Sequence, residues 1–168
     1  VIGLAGAGGP RAYPLSVIWY HEIVNDHLGS ANGAPGPVIV TYCPLCNSGM
    51  VASRVVDGDP TTFRATGLLW TPPGLQQAIA EDEGRAFGAT VRGGESVPLV
   101  RSGNLVMIDD ATVSYWSQLL AAAICGPKAR TALSIVPHTL TTWASWRSAH
   151  PDTQVLLPPP ASGTSDDV

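Results

Sequence analysis

The chain has 168 residues, 9 of them Lys or Arg and 13 Asp or Glu, for a formal net charge of −4. With 45% hydrophobic residues, 18 glycines and 15 prolines it is charge-poor and turn-rich, which excludes a disordered chain, since such chains lack apolar residues and carry high net charge. Nine scattered basic residues leave no footprint for nucleic acid, and no apolar run reaches the roughly 18 residues of a membrane span.

The pattern predicts many short strands and two or three helices. Val1–Leu4 reads as a strand, followed by a turn over Gly6–Pro10 and an extended Arg11–Pro14, because Tyr13 precedes a proline. Pro14 opens a short helix through Tyr20. His21–Asp26 returns as a strand, and Gly29–Pro37 is a loop. Val38–Tyr42 (VIVTY) is the clearest strand, β-branched and bounded by Pro37. Met50–Val56 and Thr62–Leu69 are strands joined by the hairpin signal Asp57–Pro60 (DGDP). Asn104–Asp109 is a further strand. Ser114–Ile124 (SYWSQLLAAAI) reads as the best helix, stopped by Gly126-Pro127, and Thr141–Ala149 as a second, stopped before Pro151. Gln154–Leu157 is a last strand. Strands that succeed strands predict an α+β fold, β-rich and mainly antiparallel. Residues 1–157 form one domain. It carries an insertion at 71–103, a run too long for an ordinary loop, and a Pro-rich tail at 158–168 ends the chain.

The sharpest chemical feature is Cys43-Pro44-Leu45-Cys46, directly after the VIVTY strand. Two thiols three residues apart can face one metal ion, or each other as a redox pair, or lie buried as small apolar groups. One C-x-x-C does not complete a tetrahedral zinc site. The segment after Cys46 reads as a β-hairpin, whereas a thioredoxin-like site needs a βαβ unit. The second feature is His21-Glu22-Ile23-Val24-Asn25-Asp26. Its His, carboxylates and amide can supply a metal ligand with its orienting partner, or a general base. On a strand His21 and Glu22 point oppositely, and Asn25 and Asp26 also suit a turn. The third is Asp109-Asp110 ahead of Thr112, Ser114 and Trp116, where an acid suits a helix cap and Trp116 suits the core. His150 suits a helix end, and Cys125 reads as a small buried residue.

Taken in order, Arg11-Ala12-Tyr13-Pro14, His21–Asp26, Val40-Thr41-Tyr42-Cys43-Pro44-Leu45-Cys46, Thr66-Gly67-Leu68-Leu69, Ser114–Gln118, Thr142-Trp143 and His150-Pro151 resemble the bacterial and archaeal DUF3179 family over nearly the whole chain. That family is a domain of unknown function, so the resemblance implies ancestry and no activity. His21, Glu22, Asn25, Asp26, Cys43, Cys46, Asp109 and Gln118 match positions of the family pattern. Thr66 stands where the family usually has serine, and Asp110 where it usually has arginine. Residues 71–103 have no counterpart in the usual short connection. Family members commonly look exported or lipid-anchored, which suits a chain starting at Val1 after loss of a leader.

The leading expectation is a small extracytoplasmic domain that binds Cu or Zn through Cys43, Cys46 and His21, since thiolates with an imidazole favour those metals. The same cysteines define a thiol-redox reading. Candidate catalytic groups are Glu22, Asp26, Asp109 and Gln118. The alternative is a non-enzymatic accessory subunit of a larger, membrane-associated assembly, touching protein partners through the insertion and the tail.

Overall fold

A β-branched run bounded by proline builds the centre of the molecule. In the computed structural model, which describes residues 1–6, 8–29, 36–74 and 103–159, that run is the strand β4, Pro37–Cys43. It pairs antiparallel with β3 (Ile23–His27) on one side and β5 (Ser48–Ser53) on the other. Side chains alternate across a strand. Ile39 and Cys43 of β4 therefore enter one apolar cluster, with Met50, Phe63, Leu105, Met107 and Trp116. Val38, Val40 and Tyr42 enter a second, with Ile2, Leu4, Tyr13, Ile18, Val51 and Val136. A continuous apolar run is what a strand covered on both faces requires.

The second cluster is closed by the helix α1 (Leu15–His21) and by a sheet ordered β12 (Thr139–Leu140), β1 (Ile2–Leu4), β2 (Arg11–Tyr13), β13 (Gln154–Val155). The β2–β13 pair is parallel; the other named pairs are antiparallel. A second helix, α2 (Trp143–Ala149), starts at Thr142, whose hydroxyl accepts from the Ser145 N–H, the cap expected of a threonine there. Its Trp146 lies on β1 at Gly3, where a Cβ would overlap the ring. Gly3→Ala is therefore expected to cost about 1–3 kcal/mol of stability through overpacking, read as a lower urea midpoint.

The first cluster is closed by a sheet ordered β11 (Ala122–Cys125), β10 (Tyr115–Ser117), β9 (Asn104–Asp109), β8 (Phe63–Trp70). Residues 114–124, expected as a helix, are not one: they are β10, a turn and β11, antiparallel to each other, with β10 also paired to β9. Leu, Gln and Ala are good helix formers, but propensity is worth only a few tenths of a kcal/mol per residue and tertiary pairing overrides it. The turn carries Ala121 at φ +48°, outside the helical region, and its N–H bonds Gln118 O. The Asp57–Pro60 hairpin is also smaller than expected. It joins only β6 (Val55–Val56) and β7 (Asp59–Pro60) through Asp57 and Gly58, both at positive φ, a two-residue type I′ turn. β5 pairs with β4, and β8 with β9, rather than with each other.

Of the predicted insertion only 71–74 and 103 are described, and of the tail only 158–159; the rest of both segments lies outside the described residues, as does most of the 29–37 loop. Among the described residues no helix is long and apolar enough to cross a membrane.

Candidate functional site

The Cys-Pro-Leu-Cys motif forms the tip of the β4–β5 hairpin. Cys43 pairs in register with Ser48, so Pro44 to Asn47 make the turn, closed by Asn47 at φ +48° and by the Tyr42 hydroxyl donating to Asn47 Oδ1. Pro44 lacks an N–H to lose at the bend, and asparagine tolerates the left-handed conformation at its end. Cys43 stays on the inward face of β4 and is buried, while Leu45 at the tip is exposed and Cys46 is half-buried. The turn brings Cys43 Sγ and Cys46 Sγ to 2.6 Å.

Around Cys46 lies a set of uncharged polar groups drawn from three elements. Asn104, the first residue of β9, donates from Nδ2 to Cys46 Sγ at 3.2 Å. The same amide donates to Gln118 Oε1 at 2.7 Å. Gln118, just past β10, in turn donates from Nε2 to Ser48 O at 2.8 Å, and its Oε1 accepts from Ser48 Oγ at 2.9 Å. Asn104 and Gln118 are buried, and each has partners for both ends of its amide. Burial pushes the Cys43 thiol up to about 11, and the contact with Cys46 adds to that. The hairpin thus holds one buried thiol that keeps its proton beside one half-buried sulfur that has hydrogen-bond donors.

Of the residues singled out in the sequence, Cys43, Cys46 and Gln118 are brought together. Gln118 reaches Ser48 and Asn104, which both touch Cys46, because its segment is a strand and turn and not a helix. Ser48 and Asn104 join them without having been singled out. Ser48 was open to inference from its place two residues after Cys46, whereas Asn104 lies 58 positions from that sulfur and carried no local signal.

The other candidates have different surroundings. Asp26 accepts from Arg11 Nη1 at 2.7 Å, from the Tyr13 hydroxyl at 2.6 Å and from the His27 N–H, tying β2 to β3. Burial pushes its carboxyl up, but the bonds from Arg11, Tyr13 and His27 outweigh this and hold it below the usual carboxylate range. Burial and the same carboxylate push the Tyr13 hydroxyl up. Asn25 makes a two-way bond with the Phe63 backbone, Nδ2 to O and N–H to Oδ1, each at 2.8 Å, which fastens β3 to β8. Asp109 is fully buried and caps no helix. Its carboxylate accepts from the Thr112 and Ser114 N–H groups, the Thr112 hydroxyl and Trp116 Nε1, and so folds the β9–β10 loop.

His21 ends α1 and does not sit on the next strand. Its ring meets Tyr20 edge-on and its buried Nε2 has no hydrogen-bond partner among the described residues. Glu22 caps the helix at φ +60°, a strained conformation for a residue with a Cβ, and burial pushes its carboxyl up. Among the described residues no three His, Cys, Asp or Glu side chains form a group that could hold a metal ion, so His21 is not gathered with Cys43 and Cys46 into such a set. Cys125, expected in the core, is exposed at the end of the edge strand β11. His150 does end a helix, as expected; it caps α2 with its ring 4.0 Å from that of Trp146.

The family described as "Protein of unknown function (DUF3179)" matches the chain over residues 1–72 and 84–166. The match breaks only at 73–83, so residues 71–72 and 84–103 do have a counterpart in the family, against the expectation that the whole of 71–103 lacks one. No curated protein matches the chain, and neither does any solved structure.

Proposed function

We propose that this chain, which belongs to the DUF3179 family, is a thiol–disulfide exchange domain that works through Cys43 and Cys46. The observation that carries the reading is the asymmetry of the pair: two sulfurs in contact, one buried on the inward face of β4, the other half-buried at the hairpin tip with donors around it. Cys46, as thiolate, attacks a disulfide R–S–S–R′; its bond to one sulfur forms as the S–S bond breaks, and R′–S⁻ leaves and takes up a proton. Cys43 then loses its proton and attacks Cys46 Sγ, releasing R–S⁻, which is protonated in turn. The two thiols of the pair are oxidised to one disulfide and the substrate disulfide is reduced to two thiols. Gln118 and Asn104 hold the hairpin tip against β9 and β10 during both steps. An extracytoplasmic setting, where disulfides persist, suits this chemistry.

The metal reading keeps Cys43 and Cys46 as soft ligands for Cu or Zn but needs a third ligand from outside the described residues. The accessory-subunit reading draws on the adjacent Trp19 and Tyr20 of α1, each 63% exposed, as a contact for a protein partner.

The experiment uses a Cys125→Ser background, because that exposed thiol would react in parallel. Reduced protein is mixed with oxidised glutathione and weighed by mass spectrometry. Exchange predicts loss of two hydrogens with release of two reduced glutathiones per chain. An unreacted dithiol, or a stable adduct that never closes, would remove the reading.

A further inference from the structure

The amide of Asn104 has more acceptors than hydrogens. Its Oδ1 accepts from the Leu119 N–H at 2.7 Å, which fixes which end of the side chain is NH₂. The two hydrogens on Nδ2 face three acceptors: Gln118 Oε1 at 2.7 Å, Cys46 Sγ at 3.2 Å and Ser48 Oγ at 3.4 Å. Gln118 takes the shortest bond. The second hydrogen is shared between the sulfur and the serine hydroxyl, whose own hydrogen goes to Gln118 Oε1 at 2.9 Å or, at longer range, to Cys46 Sγ at 3.7 Å. Asn104 is buried, so losing a partner is not made good by water.

A thiolate sulfur, open only to the reduced pair, accepts a hydrogen bond better than a disulfide sulfur does, because negative charge on sulfur strengthens the bond. The Asn104 donor therefore favours the reduced Cys46, and Ser48 Oγ is at hand to take the hydrogen when the ring closes. We propose that Asn104 is the positioning residue that sets the redox poise of the Cys43–Cys46 pair, through a hydrogen bond made to Cys46 Sγ in the reduced form and handed to Ser48 Oγ in the oxidised form. This rests on the exchange reading and adds the group that regulates it.

The test is the equilibrium of the pair with glutathione, dithiol plus oxidised glutathione giving ring disulfide plus two reduced glutathiones. It is measured for the parent protein and for Asn104→Asp, both in the Cys125→Ser background. Aspartate keeps the acceptor for the Leu119 N–H and removes the donor. The constant for ring closure is expected to rise about fivefold to tenfold, the effect of one hydrogen bond of about 1 kcal/mol. That makes the pair more reducing by about 20–30 mV. The reduced form of the variant loses more thermal stability than its oxidised form, whereas a merely structural role would weaken both alike and leave the constant unmoved. A second measurement needs no variant. The side-chain amide resonances of Asn104 in the parent protein are expected to move between the reduced and oxidised states. An unchanged constant in a protein that does close its ring overturns the role of Asn104 and leaves exchange standing, and so do unmoved amide resonances. A parent protein that never closes its ring overturns both.

Discussion

Replacing Asp109 with alanine is expected to cost at least about 3 kcal/mol of stability, the largest single effect on the fold. The carboxylate is fully buried and serves four donors: the Thr112 N–H, the Thr112 hydroxyl, the Ser114 N–H and Trp116 Nε1. Removing it leaves the Ser114 N–H and Trp116 Nε1 buried without an acceptor, at about 1–3 kcal/mol each, and takes a partner from the half-buried Thr112 N–H, while the Thr112 hydroxyl keeps Ser114 Oγ. Trp116 lies at the centre of the first cluster, against Phe63, so the damage spreads from the loop to the core. Burial pushes the Asp109 carboxyl up, but the bonds from Thr112, Trp116 and Ser114 outweigh it, and the group titrates below its ordinary value. Asp26 is depressed by its own set of donors. A depressed carboxyl adds stability that is complete above the unfolded value, near 4, and is lost as pH falls through the folded value. Melting temperature is therefore expected to hold from pH 7 down to about 5 and to fall below about 4. Asp109→Asn, which keeps the shape without the charge, flattens that acid limb. An Asp109→Ala protein as stable as the parent would show that the loop is held in some other way.

The second large effect is on chemistry. With Cys46→Ser, disulfide exchange must start from Cys43, whose thiol stands at about 11 through burial first and the Cys46 contact second; the variant loses the contact and keeps the burial. At pH 7 a thiol at about 11 is ionised to roughly one part in ten thousand. Its greater intrinsic nucleophilicity recovers only about tenfold of that deficit. Exchange is thus expected to fall by up to about twentyfold below that of a thiol of ordinary acidity through burial, with lost access lowering it further. The residual rate should climb about tenfold per pH unit above neutral, the signature of a buried thiol taking over. Cys43→Ser behaves differently. It keeps the first step and loses the second, so it reacts once with a disulfide and stops.

Much of this arrangement can be read before any coordinates. VIVTY states a buried strand, because β-branched residues on both faces need cover on both faces, and β4 has it. Asp57-Gly58 states a tight hairpin, and Thr142 states a helix start. The strand that follows Cys-Pro-Leu-Cys states that the pair lies outside any βαβ unit, but the hairpin the motif closes is β4–β5 and not the expected one after it. The segment 114–124 misleads because its composition is locally helical while its fate is decided by pairing with β9. The same long range hides Asn104. Nothing within a few residues of it marks a partner for Cys46, since the contact exists only once β9 is seated beside the hairpin. Asn25, Asp26 and Asp109 look chemical in sequence because polar groups with several partners serve catalysis and architecture alike. Here each is fully engaged with neighbouring strands and loops.

The most direct measurement is to find which sulfur captures a disulfide substrate. Cys43→Ser and Cys46→Ser proteins, each in the Cys125→Ser background, are treated with oxidised glutathione at neutral pH and mapped by peptide mass spectrometry. Exchange led by Cys46 predicts a stable mixed disulfide on Cys46 in the first protein and almost none on Cys43 in the second. Equal capture at both positions, or capture at Cys43 alone, would contradict it.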